Sequence, residues 1–132
     1  MATAYLTRIV EFTATHRFPD QPEFAGATKD HSHRYRCLVT VKGAFDPARR
    51  GIMSLKAFDQ LLQREVVAQL DGRHINEEVA EFASGGWIAT GEAVAVYVWN
   101  RIVAAGLPAG VSLHCVRIEE SPRLYSEYFG ER

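Results

Sequence analysis

The stretch His31-Ser32-His33-Arg34-Tyr35-Arg36-Cys37-Leu38-Val39-Thr40-Val41-Lys42-Gly43 decides the fold. His31, His33, Tyr35, Cys37, Val39 and Val41 occupy alternate positions, and the intervening ones are mostly charged or hydroxylated. A period of two, rich in β-branched and aromatic residues, is a strand with one apolar face. Side chains two apart on a strand point the same way, so His31 and His33 share that face with the apolar residues. Upstream, Tyr5 to Arg17 alternates in the same manner, and its run Val10, Phe12, Ala14, His16 carries another histidine to a strand end. If that end lies beside the first pair, three of the chain's five histidines meet. Three neutral imidazoles with one open position suit a catalytic zinc, with water or substrate in the fourth place. The alternative from the same residues is three hydrogen-bonded histidines near strand ends.

The remaining elements follow outward from these two strands. Phe18 to Lys29 holds two prolines and a glycine and is a loop; Phe45-Asp46-Pro47-Ala48 is a turn. From Leu55 to Leu70 the period changes: Phe58, Leu61, Leu62, Val66 and Leu70 recur at helical spacing, with Ser54 as N-cap. His74 to Trp87 reads as irregular. Thr90 caps a second helix from Gly91 to about Ala105, whose stripe is Val94, Val98, Ile102 and Val103, and Gly106-Leu107-Pro108 ends it. Val111 to Glu120 alternates as a third strand, and Tyr125 to Phe129 is a short fourth. The order ββααββ predicts an α+β domain: a four-stranded antiparallel sheet with both helices on one face. The other face and the sheet edges then need cover, which argues for a homo-oligomer.

Composition narrows the function classes. A chain of 132 residues, 47% hydrophobic, is expected to form one domain over 1–132. Fifteen basic against sixteen acidic residues, a net charge of −1, give no footprint for nucleic acid. No apolar run approaches the roughly 20 residues of a membrane span. The first residues lack a basic patch followed by an apolar core, so no secretory leader is expected. Cys37 and Cys115 both fall in apolar strand patterns and read as small buried hydrophobes, which suits a cytoplasmic protein.

An ordered set of motifs adds a family to this reading. Phe12-Thr13-Ala14-Thr15-His16-Arg17, His31-Ser32-His33-Arg34-Tyr35, Leu70-Asp71, Thr90-Gly91-Glu92, Ile118-Glu119-Glu120-Ser121 and Tyr128-Phe129-Gly130-Glu131 occur in sequence along the chain. Together they resemble the 6-pyruvoyl-tetrahydropterin synthase and 6-carboxytetrahydropterin synthase family, of the tunnelling fold. The resemblance implies zinc on His16, His31 and His33. It implies that Glu120, with Thr90 nearby, binds the amino-pyrimidine edge of a pterin. It also implies a trimer or hexamer that closes an oligomeric barrel, with active sites between subunits.

Two departures matter. The family places an acid/base cysteine in the loop before the histidine pair, and the segment from Phe24 to Asp30 has none. The family's second proton-transfer residue is a histidine directly after the aspartate, where this chain has Leu70-Asp71-Gly72. Cys37 lies four residues past His33, roughly 13 Å along a strand, too far to substitute. The remaining candidates for moving protons are Asp71 and His74, then Asp30 and Lys29; each has a plainer role as a turn brace, loop histidine or surface charge. The expectation is a zinc-dependent lyase or cyclase with altered chemistry, acting on a pterin or another small carbonyl or polyol substrate. The alternatives are a true pterin synthase with relocated acid/base residues, and a non-catalytic ligand-binding relative.

Overall fold

The computed structural model describes residues 2–48 and 51–131. Strand β1 (Thr3–His16) pairs antiparallel with β2 (His31–Ala44) along its whole length. Strand β3 (Val111–Ser121) pairs with β2, and β4 (Leu124–Tyr128) with β3, giving the order β1-β2-β3-β4. This is the expected four-stranded antiparallel sheet of an α+β fold. Alternation sets the two faces. Phe12, Tyr35, Cys37, Val39, Val41, Val116 and Ile118 are fully buried on one face. The other carries cross-strand ion pairs, among them Arg36–Glu119 at 2.9 Å and Arg117–Glu127 at 3.9 Å.

The helices cover the apolar face. Helix α1 (Leu55–Leu62) begins at Ser54, whose hydroxyl accepts the Ala57 N–H at 3.2 Å. Phe58, Leu61, Leu62, Val66 and Leu70 all reach the core, as their spacing predicts. The segment is not one uniform helix, however. A π turn, Gln63–Val67, separates α1 from the last helical turn, α2 (Ala68–Leu70). Within that turn the Glu65 carbonyl accepts from Arg101 Nε at 3.2 Å, and the Glu65 carboxylate from Arg101 Nη2 at 2.9 Å. The bulge is thus tied to a cation on the neighbouring helix, a partner remote in sequence.

Helix α5 (Gly91–Ala105) packs on β3 and β4, capped by Thr90, whose Oγ1 accepts the Ala93 N–H at 3.2 Å. Its core residues are Val94, Ala95, Tyr97, Val98 and Ile102. Val103, read as part of the stripe, is 56% exposed; it lies about 100° round the helix from Ile102, past the edge of the buried face. The region read as irregular holds two short helices, α3 (Ile75–Glu78) and α4 (Ala80–Ala83), which bury Ile75, Val79 and Phe82. Neither completes two turns, so no helical period could register in the sequence. After β4 the chain turns at Gly130 (φ +88°), where a Cβ would come within 2.7 Å of the Trp99 ring. Among the described residues, no helix is long and apolar enough to cross a membrane.

Candidate metal centre and adjoining cavity

The β1–β2 register brings the three histidines together. His16 lies opposite His31, and Ala14 opposite His33, so all three imidazoles project from the helix-covered face at one end of the hairpin. Alanine at position 14 leaves room beside His33 for the rings to converge. Ring centroids are 4.4 Å apart for His16 and His31, 5.0 Å for His16 and His33, and 5.2 Å for His31 and His33. Their ligand nitrogens all lie within 4.8 Å of one another.

Each ring is oriented from behind. His16 is fully buried, and its Nδ1–H donates to the Ala89 carbonyl at 2.8 Å. That fixes the tautomer and leaves Nε2 bare; it is buried with no partner. His31 Nδ1 donates to the Lys29 carbonyl at 2.8 Å, which frees its Nε2 in the same way. Burial lowers the His16 pKa to about 4 and pulls His33 below the usual imidazole range, so both are neutral at physiological pH. A buried bare nitrogen costs stability unless something occupies it. Three imidazoles, two of them held by carbonyls through the distal nitrogen, have the donor chemistry and outer support of a metal centre.

Next to the histidines is a cavity of about 380 Å³. Thr90 and Gly91, at the start of α5, form one wall; Glu120, at the end of β3, and Ser126, on β4, form another. An added Cβ on Gly91 would stand 2.8 Å from Ser126 Oγ and 3.0 Å from Glu120 Oε2. The Glu120 carboxylate therefore lies against the α5 N-terminus, where the helix dipole favours an anion. Burial raises its pKa, Glu92 raises it further, and His31 is close enough to act in the opposite direction. Glu120 and Thr90 thus share one cavity, beside the three histidines.

The remaining candidates divide. The Asp71 carboxylate accepts the Thr13 N–H at 2.9 Å and so braces β1. His74 pairs with Thr15 in an isolated parallel bridge, beside the strand end that carries His16. Asp30 Oδ1 accepts from His74 Nε2 at 3.0 Å and from Arg17 Nη1 at 3.0 Å, and Arg17 also reaches Glu77 Oε2 at 3.0 Å. His74, more than Arg17, holds Asp30 below the usual carboxylate range. Arg17 Nη1 also lies 3.1 Å from His74 Nε2, and His74 Nδ1 is buried without a partner. Lys29 is exposed and contributes its carbonyl to His31.

Comparison with known proteins shows the family. The family model for 6-pyruvoyl tetrahydropterin synthase matches residues 5–131. The chain belongs to the 6-pyruvoyl tetrahydropterin synthase family. It is 30% identical to the 6-pyruvoyl tetrahydrobiopterin synthase of Poecilia reticulata over 137 residues, covering 96% of this chain and 90% of that one. It is also 30% identical to the Homo sapiens protein of the same name over 138 residues, 97% and 92% of the two chains. The structure of the Caenorhabditis elegans 6-pyruvoyl tetrahydropterin synthase superposes with a TM-score of 0.88 at 23% identity, covering 99% and 98%. That of the Plasmodium vivax synthase gives 0.70 at 13% identity, covering 97% and 98%.

Two features of this synthase-family site lie outside the sequence reading. The Asp30–His74 contact joins residues 44 apart, through a bridge that no local pattern announces. Phe18, read only as the start of a loop, has its ring centroid 4.9 Å from that of His16 and 6.0 Å from that of His31, and it lines the Glu120 cavity. An aromatic two residues past a candidate ligand, His16, is the signal available in the sequence.

Proposed function

We propose that this chain is a zinc-dependent lyase acting on a pterin, or a similar small carbonyl or polyol substrate, with proton chemistry altered from that of its relatives. The observation that carries the reading is three converging imidazoles, one with a buried bare Nε2, beside a cavity that holds Glu120. His16, His31 and His33 would hold the metal. Bound there, zinc supplies a Lewis acid toward a carbonyl or hydroxyl oxygen. Glu120 binds the substrate, because a carboxylate accepts two parallel N–H donors from an amino-pyrimidine edge. Thr90 sits beside it as the cap of α5, a position that supports a binding role. His74, whose Nε2 lies 3.0 Å from Asp30 Oδ1, is the proton carrier in this reading. Asp71 is the second candidate, and its bond to Thr13 favours His74 over it.

The catalytic cysteine and histidine of the family pattern are absent from their places, where this chain has Phe24 to Asp30 and Gly72. A general acid or base contributes roughly 10²–10⁴-fold, so losing both slows side-chain elimination on a pterin unless other groups replace them. The Plasmodium vivax relative has a glutamate described as a catalytic residue, which supports seeking the proton carrier among carboxylates and imidazoles. The Asp30–His74 pair favours a second reading, a true pterin synthase with relocated acid/base groups. We also propose a cytoplasmic homo-oligomer, trimer or hexamer, with sites between subunits.

Metal analysis of protein purified without added metal, with turnover of dihydroneopterin triphosphate, tests the reading. One zinc per chain is expected, with conversion to 6-pyruvoyl- or 6-carboxytetrahydropterin at least ~10²-fold below the typical ~10 s⁻¹. Residual turnover should vanish in His74→Gln. Ordinary rates would establish the second reading instead. Protein without stoichiometric metal would remove the basis of both.

A further inference from the structure

The cavity beside the histidines has an aromatic wall as well as an acidic one. Phe18 lines it, and the same ring stacks on Phe24 with centroids 4.9 Å apart and planes 24° apart. The imidazoles of His16 and His31 meet it at 61°. Phe18 therefore borders both the histidine cluster and the open volume in front of Glu120.

Its backbone is fixed on both sides. The Arg17 N–H donates to Asn76 Oδ1 at 2.8 Å, and Asn76 Nδ2 donates back to the Arg17 carbonyl at 3.0 Å. The Phe18 N–H donates to the Ala27 carbonyl at 3.0 Å. The ring is thus placed before any ligand arrives, and a preplaced wall saves the ordering cost that a mobile one would incur on binding. Tyr125 is the other aromatic of the lining, but the Arg117 guanidinium lies over its ring, 3.4 Å from the centroid. Of the two, Phe18 has no cation over its ring among the described residues; Phe24 stacks on one of its faces.

We infer that Phe18 is the specificity-determining platform of this site: it packs against the bicyclic ring of a planar heteroaromatic substrate whose N–H edge is held by Glu120, which rests on the pterin-type reading above. Glu120 reads the edge, and Phe18 reads the extent of the ring. Stacking of a heteroaromatic base on an aromatic side chain is worth roughly ten-fold or more in affinity. A ligand with the same N–H edge but one ring fewer overlaps less of the ring and gains less from it.

Calorimetric titration of the full-length, metal-loaded protein with two probes tests this. Neopterin has the fused rings; 2-amino-4-hydroxypyrimidine has the same donor edge on a single ring. Wild-type protein should bind neopterin roughly ten-fold tighter or more. Phe18→Ala should remove most of that preference, weakening neopterin several-fold more than the pyrimidine and leaving metal content within about two-fold, while Phe18→Trp keeps it. Glu120→Gln should weaken both probes together. If Phe18→Ala lowers metal content or fails to fold, Phe18→Leu decides, since it keeps the bulk and removes the flat face. An unchanged preference in Phe18→Leu would overturn the role of Phe18 and leave the pterin site standing, provided Glu120→Gln still weakens both probes. Binding of neither probe by the wild type would overturn the pterin reading and the platform together.

Discussion

At the scale of single residues, Gly91 is as telling as any histidine. Nothing larger than hydrogen fits between the start of α5, Ser126 Oγ and the Glu120 carboxylate without displacing them. Both obstacles are side-chain ends, so Gly91→Ala should fold normally and move Glu120 out of place. Titration with neopterin should show at least ten-fold weaker binding, with thermal stability unchanged or slightly higher. His16 makes a different prediction, for protein stripped of metal. Burial holds its pKa near 4, against an unfolded value near 6.5. Between those values the unfolded chain binds more protons than the folded one, so stability falls as pH drops through that window, by up to about 3 kcal/mol. Urea midpoints should fall between pH 7 and pH 5, and His16→Gln should remove most of that fall. The three histidines were legible because strand alternation links spacing to facing. Phe18 and the Asp30–His74 contact were not, since their roles come from loops folding back across tens of residues.

At the scale of elements, the two long helices begin where their caps say. Ser54 and Thr90 each satisfy an N–H three residues on. Ser54→Ala should cost about 1 kcal/mol, seen as a melting temperature lower by a few degrees, with metal content unchanged because α1 ties to β1 through Asp59 and Arg8, at a distance along the strand from His16. Thr90→Ala carries the same capping cost but sits on the Glu120 cavity, so it should also weaken ligand binding. The apolar residues of α1 and α2 announced the buried face but not the π turn between them. Widening a helix by one residue leaves its apolar spacing nearly intact, and the Arg101 contact that accompanies it lies 36 residues away. The strands were easier, because a period of two admits few alternatives once both faces differ this much in polarity.

At the scale of the whole molecule, the buried core and the histidine cluster are separable. Phe12, Tyr35, Phe58, Leu62, Leu70 and Ile118 are fully buried irrespective of any ion. Chelation, or His33→Ala, should therefore abolish metal binding while far-ultraviolet circular dichroism stays native. The sheet ends in β1 and β4, each paired on one side only. Unpaired edges invite association, and native mass spectrometry should give a trimer or hexamer; a stable monomer would contradict the proposed assembly. The sheet and the layer above it were readable from the chain alone because one long amphipathic hairpin dominates them.

The pairing of His16 with His31 has a consequence for how the chain finds its shape. Sliding β1 against β2 by one residue would send His16 to the charged face and leave His31 and His33 behind. A one-residue slip offers no set of three imidazoles on one face. During refolding, an ion captured by all three would discriminate against mispaired hairpins, acting as a gauge of registry before the helices have docked. Refolding with and without zinc, followed by the yield of correctly paired chains, would measure how far the ion corrects alignment.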